Sequence, residues 1–202
     1  MSELSVCFII KNEEKNLRDC LMNVQDIADE IVIVDTGSTD RSRKICQRHP
    51  KVKLVEAEWI HDFSAARNIS LEHATCDWIL VLDADERLEK PNEIKALIDT
   101  KTADAFHLRV RNFQPEGSLT AFEDSHLLRL FRNKPSYRFT GRIHEQISPA
   151  IHAENGVVEL SDALILHHGY VQDSVQGFAS RRKRNMRLLK SQLQENPSDF
   201  YY

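Results

Sequence analysis

Three apolar, β-branched runs of this chain end abruptly in polar residues: Ile10 in Lys11-Asn12-Glu13-Glu14, Val34 in Asp35-Thr36-Gly37-Ser38, and Leu82 in Asp83-Ala84-Asp85-Glu86. Between them lie segments of helical period, such as Leu17, Cys20, Leu21, Val24 and Ala28. Strands alternating with helices predict a parallel sheet covered by helices, an α/β fold. In open sheets of this kind ligands bind outside the carboxyl ends of the strands, so the three polar clusters are expected to face one crevice.

The pattern places strands at Leu4–Ile10, 31–34, 52–55 and 78–82. A helix is expected after the second strand, capped by Ser38 or Thr39 and running to about His49. Another is expected over 64–73, with Trp59 and Phe63 before it as core. Pro91 suits the first position of a further helix carrying Ile94, Leu97 and Ile98. Beyond it, runs at 105–111, 127–132, 157–160 and 163–167, punctuated by Pro115-Glu116-Gly117 and Pro135, read as antiparallel or mixed strands added to the same sheet. A last amphipathic helix is expected to bury Val175, Phe178, Ala179, Met186, Leu189 and Leu193 and to expose Arg181-Arg182-Lys183-Arg184 to solvent. The ending Pro197-Ser198-Asp199-Phe200-Tyr201-Tyr202 looks like the opening of another helix, as if the chain were part of a longer one.

A chain of 202 residues can bury a sizeable core without staples. Six Gly and six Pro exclude collagen-like and linker-dominated readings. A net charge of -4 argues against a dedicated nucleic-acid binder. The longest apolar runs are five residues, against the ~20 needed to cross a bilayer. Met1-Ser2-Glu3 enters the first strand without a basic leader, so no signal peptide is expected and the protein should start at or near Met1. Cys7, Cys20, Cys46 and Cys76 form no C-x-x-C pair and read as buried, reduced thiols. A cytoplasmic address is the expectation, with peripheral association to the inner membrane face as its variant.

The acidic strand ends would repel a bare phosphorylated ligand unless a divalent cation lay between them. Asp83-x-Asp85 supplies hard oxygen ligands that suit Mg²⁺ or Mn²⁺, so a metal-bridged diphosphate is the expected ligand. Each cluster has a plainer reading too. Asp35-Thr36-Gly37-Ser38 could be only a turn and helix cap, and Asp83-Ala84-Asp85 only solvated surface; their common position after buried strands favours a site.

Taken in order, Ser5-Val6-Cys7-Phe8-Ile9-Ile10-Lys11-Asn12-Glu13-Glu14, Asp29-Glu30-Ile31-Val32-Ile33-Val34-Asp35-Thr36-Gly37-Ser38-Thr39-Asp40, Asp62-Phe63-Ser64-Ala65-Ala66-Arg67-Asn68 and Asp77-Trp78-Ile79-Leu80-Val81-Leu82-Asp83-Ala84-Asp85-Glu86 resemble the family 2 glycosyltransferases of GT-A fold. The likeness is to a bacterial branch that often carries tetratricopeptide repeats after the catalytic domain. Leu130-Phe131-Arg132-Asn133, Gly141-Arg142-Ile143-His144-Glu145 and His167-His168-Gly169-Tyr170 extend it over most of the chain. It implies a GT-A domain over 1–172, with a nucleotide-binding half at 1–100 and an acceptor half at 101–172. Residues 173–202 would hold the C-terminal helix and the start of a helical extension.

The resemblance implies metal-dependent transfer of a sugar, with inversion, from a nucleotide diphosphate donor, expected to be a UDP-sugar. The acceptor would be a glycan, a lipid-linked sugar or a peptide side chain. Asp35, Thr36, Gly37 and Ser38 would hold the nucleoside, Asn12 and Glu13 would close on base and ribose, and Arg67 would reach base or phosphates. Asp83 would contact ribose or metal, Asp85 would ligate the metal, and His167 or His168 could complete that site. Thr36 departs from the second Asp that many members use to read uracil. For the general base Glu145 comes first, with Glu123 and Asp124 second; a surface ion pair with Arg142 is the structural alternative for Glu145. Competing functions are a nucleotide-sugar-binding scaffold without turnover and a metal-dependent nucleotidyltransferase or phosphohydrolase. The intact Asp83-x-Asp85 counts against the first, and the lack of a G-x-x-x-x-G-K loop counts against the second.

Overall fold

The structure, a computed structural model, describes residues 2–99, 102–114, 120–169 and 175–195. The Pro115-Glu116-Gly117 turn, Tyr170 and the segment from Pro197 fall outside them, as do the side chains of Val175 and Phe178.

Three parallel pairings build one half of the sheet. β1 (Leu4–Ile10) lies between β2 (Glu30–Asp35) and β4 (Trp78–Val81), and β3 (Val52–Glu56) pairs with β2. The β1, β2 and β4 strands are almost wholly buried, as near-continuous Val, Ile and Leu runs must be when helices cover both faces. Alternation sends Val6, Phe8, Ile31, Ile33 and Leu80 to one core. There they meet Leu17, Cys20, Leu21 and Val24 of α1 (Leu17–Val24) and Ile94 and Ile98 of α4 (Asn92–Ile98). Cys7, Val32, Ile79 and Val81 face the other core, with Leu71 of α3 (Phe63–His73) and Ile151 of α5 (Ser148–Ala153).

The other half is mixed. β4 pairs antiparallel with β7 (Phe122–Arg132), which pairs antiparallel with β6 (Ala105–Phe113). β6 runs parallel to β8 (Val158–His167), and β5 (Glu86–Leu88) closes the edge antiparallel to β8. The eight-stranded order is β3-β2-β1-β4-β7-β6-β8-β5. The mixed sheet flanked by helices agrees with the expected α/β fold of GT-A type. The two short runs expected at 157–160 and 163–167 are one strand, and β5 and α5 were not foreseen.

Two helices depart from expectation. α2 is only Ser42–Cys46, begins after Arg41 and has no side-chain cap. Ser38 and Thr39 cannot cap it because Asn12, at φ 60°, claims both: Ser38 Oγ accepts the Asn12 N–H at 2.8 Å, and Asn12 Oδ1 accepts the Thr39 N–H at 2.8 Å. The last helix, α6 (Val175–Glu195), docks by a different stripe from the apolar one. Leu188 and Gln192 are buried, while Met186 and Leu193 are exposed.

Candidate active site

The register brings the polar clusters level. Ile10 pairs with Asp35, the Thr36 N–H donates to the Ile10 carbonyl, and the Leu82 N–H donates to the Cys7 carbonyl. At this edge opens a cavity of about 830 Å³, lined by Lys11, Glu13, Thr36, Asp83, Asp85 and Glu86 among others. That is roomy enough for a nucleotide sugar.

α3 delivers Arg67. Its N-terminus is capped by Asp62, whose Oδ1 accepts the Ala65 N–H at 3.0 Å. One turn later Arg67 is buried and bonds two carboxylates: Nε donates to Glu145 Oε1 at 2.5 Å and Nη2 to Asp83 Oδ1 at 3.0 Å. Arg129 of β7 completes the group, donating to Asp83 Oδ2 at 3.4 Å and to the buried Glu86 at 2.7 Å. Glu145 thus meets Arg67 rather than Arg142, which is taken by Glu195. Desolvation alone would raise the Asp83 carboxyl, but the charges of Arg67 and Arg129 outweigh it and hold it well below the usual range. Burial pushes Glu86 up in spite of Arg129, and the neighbouring Asp83 charge adds to the rise. Arg67 Nη1 and Arg129 Nε are buried N–H groups with no hydrogen-bond partner among the described residues. Unmade bonds of this kind are costly, and ligand oxygens would satisfy them.

Asp85 faces His167 of β8, with 3.4 Å between Oδ2 and Nε2. His167 Nδ1 lies 2.7 Å from Asn112 Oδ1, to which it is placed to donate, and Nε2 turns to Asp85. Gly169 is packed against the pair: a Cβ there would collide with Asp85 Oδ2 and lie 2.8 Å from His167 Nε2. A carboxylate oxygen and an imidazole in such a cradle fit Mn²⁺ or Mg²⁺ with open positions left for phosphate oxygens and water. Among the described residues no three His, Cys, Asp or Glu side chains form a complete protein cage. Asp83, expected to share the ion, is engaged by the two arginines. Glu13 stands within electrostatic reach: burial raises its carboxyl, against a bond from Asn16, and the charges of Asp85 and Asp83 raise it further.

Seven of the expected residues therefore line one cavity: Glu13, Thr36, Arg67, Asp83, Asp85, Glu145 and His167. Asn12, Asp35, Gly37 and Ser38 do not line it; they form the hydrogen-bonded turn from which Thr36 and Glu13 reach it. Asp35 is fully buried, and its Oδ1 accepts the N–H groups of Gly37 and Ser38, both at 2.8 Å, together with Arg43. Thr36 donates its hydroxyl to the Ile10 carbonyl and so offers only acceptor lone pairs to the cavity. Glu123 and Asp124 stand apart on the β6–β7 ribbon, Asp124 in a two-bond pair with Arg111 at 2.8 Å. His168 stacks on Phe113 with 4.8 Å between ring centroids.

Five lining residues that bear on the site were not expected there. Trp59 and Phe63 are wall rather than core, edge to face at 4.9 Å. Arg181 and Arg184 were expected on a solvated face, yet they line the cavity, because α6 turns its Leu188–Gln192 stripe toward the domain. Arg129 went unnoticed, since no local pattern distinguishes it from other strand arginines.

The profile of glycosyl transferase family 2 matches residues 5–150. A TPR repeat-containing protein of Synechococcus elongatus is 36% identical over the whole of this chain and 50% of its own length. The glycosyltransferase SunS of Bacillus subtilis is 31% identical over 96% of this chain and 46% of its own. The chain thus spans about half the length of these relatives. Among solved structures, the mannosyltransferase PcManGT of Pyrobaculum calidifontis, in complex with GDP-Man and Mn²⁺, superposes with a TM-score of 0.66 at 17% identity, covering 98% of this chain and 65% of that one. S. aureus TarS 1–349 in complex with UDP gives 0.61 at 18% identity, covering 95% and 65%. At such identities the likeness is one of fold.

Proposed function

The chain belongs to glycosyl transferase family 2, and on that premise we propose that it is a metal-dependent, inverting enzyme that moves a sugar from a UDP-sugar to an acceptor hydroxyl. The observation that carries the reading is the bridge made by Arg67, which ties Glu145 and Asp83 together in the cavity that also holds Asp85 and His167. The bridge supports a reading in which Glu145 serves the acceptor side while Asp83, Asp85 and His167 border the diphosphate side of one cavity. The TarS and PcManGT complexes, with UDP and with GDP-Man and Mn²⁺, support a nucleotide-sugar donor and a divalent ion.

In this mechanism the donor's diphosphate occupies the end of the cavity near Asp85 and His167, where a bound Mg²⁺ or Mn²⁺ would offset charge on the departing group. The unpartnered N–H groups of Arg67 and Arg129 donate to diphosphate or sugar oxygens. The acceptor oxygen attacks the anomeric carbon from the face opposite the diphosphate; the new C–O bond forms as the old one breaks, which inverts the configuration. Glu145 Oε2, the oxygen not bonded to Arg67, takes the acceptor proton. The proton leaves as the new C–O bond forms, when the attacking oxygen has become acidic. Thr36 would accept an N–H from the base, which uracil provides.

Calorimetry with UDP, with and without MnCl₂, tests the donor site: binding should require the ion, and tight binding in excess chelator would overturn the metal assignment. Product from an α-linked donor should be β-linked by NMR.

A further inference from the structure

Family membership says nothing about the acceptor, and α6 bears on it directly. Residues 181–190 carry six cations and no acid. The helix is pinned to the loop that bears Glu145. The Ile143 N–H donates to Gln192 Oε1 at 3.2 Å, and Arg142 donates twice to Glu195, at 2.8 and 2.6 Å. The same loop is tied to α3, where the Phe63 N–H donates to the Arg142 carbonyl at 2.9 Å. So held, α6 presents Arg181, Arg184 and Asn185 to the cavity. The Arg184 guanidinium sits 5.1 Å over the Phe63 ring, next to Trp59, with Asn185 Oδ1 accepting from its Nε and Nη2.

We propose that this wall is an acceptor subsite for a glycan bearing an anionic group, a carboxylate or a phosphate, with the sugar ring against Trp59 and Phe63 and the anion on Arg181 and Arg184. The proposal rests on the glycosyltransferase reading for the role of Glu145. Its position follows from the chain: the cations arrive on the helix that clasps the Glu145 loop, whereas Asp85 and His167 are held at the other strands by Asn112 and Gly169. A cation stacked on an aromatic ring and fixed by a neighbouring amide is preorganised for an anion.

The test measures binding of glucose, glucuronate and glucose 6-phosphate by ligand-observed NMR, with and without UDP and Mg²⁺, to the native chain and to the Arg181→Gln/Arg184→Gln variant. These side chains are partly exposed, so the variant should fold. The charged sugars should bind at least tenfold tighter than glucose and lose at least fivefold in the variant, with UDP affinity unchanged. Equal binding of charged and neutral sugars overturns the proposal, as does preference for the charged sugars that survives in the variant. A variant that loses UDP affinity instead would move these cations to the donor diphosphate. Failure of UDP to bind the native chain brings down the donor reading alone, because the sugars are also measured without it.

Discussion

Arg67 and Glu145, 78 residues apart, meet through a hydrogen bond from Nε to Oε1, and the same guanidinium holds Asp83 through Nη2. Burial opposes the charge on Arg67, but Asp83 and Glu145 more than offset it, so the side chain stays protonated at any pH the fold survives. Removing Arg67 leaves two carboxylates facing each other. Arg67→Ala should therefore cost about 3 kcal/mol, near the low end for a broken buried pair because Asp83 is partly exposed. In a cycle with Glu145→Ala, which removes the acceptor, the coupling should be about 1–3 kcal/mol by urea denaturation. Additive effects would show that the bond does not hold the loop.

Glu145→Gln keeps an oxygen for Arg67 but cannot take a proton. Metal-dependent UDP affinity should stay within a factor of about two, while transfer falls roughly 10²-fold or more. Glu123→Gln and Asp124→Asn should leave turnover near that of the native chain, since neither side chain lines the cavity. Loss of turnover in either of those and not in Glu145→Gln would move the base to the β6–β7 ribbon.

Gly169→Ala isolates the Asp85–His167 cradle. The added Cβ collides with both side chains, so one must turn away from its place. UDP affinity in the presence of Mn²⁺ should fall about 10–100-fold, the scale on which displaced support of a ligand is felt. The residual, metal-free UDP affinity should not change. An unaltered response to Mn²⁺ would place the ion elsewhere.

The part of this site visible in the sequence is the part built by local pattern. Asp35, Asp83 and Asp85 follow buried runs whose composition alone marks them as strands, and parallel register then forces their ends level. Arg67–Glu145 and Arg129–Glu86 are invisible for the opposite reason: ion pairs between residues 43 to 78 positions apart leave no spacing to read. β5, at three residues, is too short to show a period. In α6, Met186, Leu189 and Leu193 look like a docking face, whereas the stripe that docks includes the polar Gln192, whose amide satisfies a loop N–H. The cap of α2 was lost to Asn12, a residue 26 positions upstream.

The thiols impose an alkaline limit on the fold. Burial pushes Cys7, Cys20 and Cys46 up to about 12 from an ordinary 9.0. For Cys7 and Cys20, packed in the cores, the bonds to the Ser70 and Asp83 carbonyls are long, at 3.8 and 3.9 Å. In the unfolded chain these groups ionise from pH 9, while the folded chain keeps its protons until about 12. Between those values the native state binds more protons than the unfolded one, so stability falls as pH rises. The contribution is complete below pH 9 and disappears progressively toward 12. Urea midpoints should therefore drop steadily from pH 9 to 11, with a shallower slope in Cys46→Ala. Native protein at pH 8 should react with iodoacetamide far more slowly than the same protein in urea, where all four cysteines are labelled. A midpoint that stays constant to pH 11, or fast labelling of Cys7 in the folded state, would mean that these thiols are not sealed in the core as the packing requires.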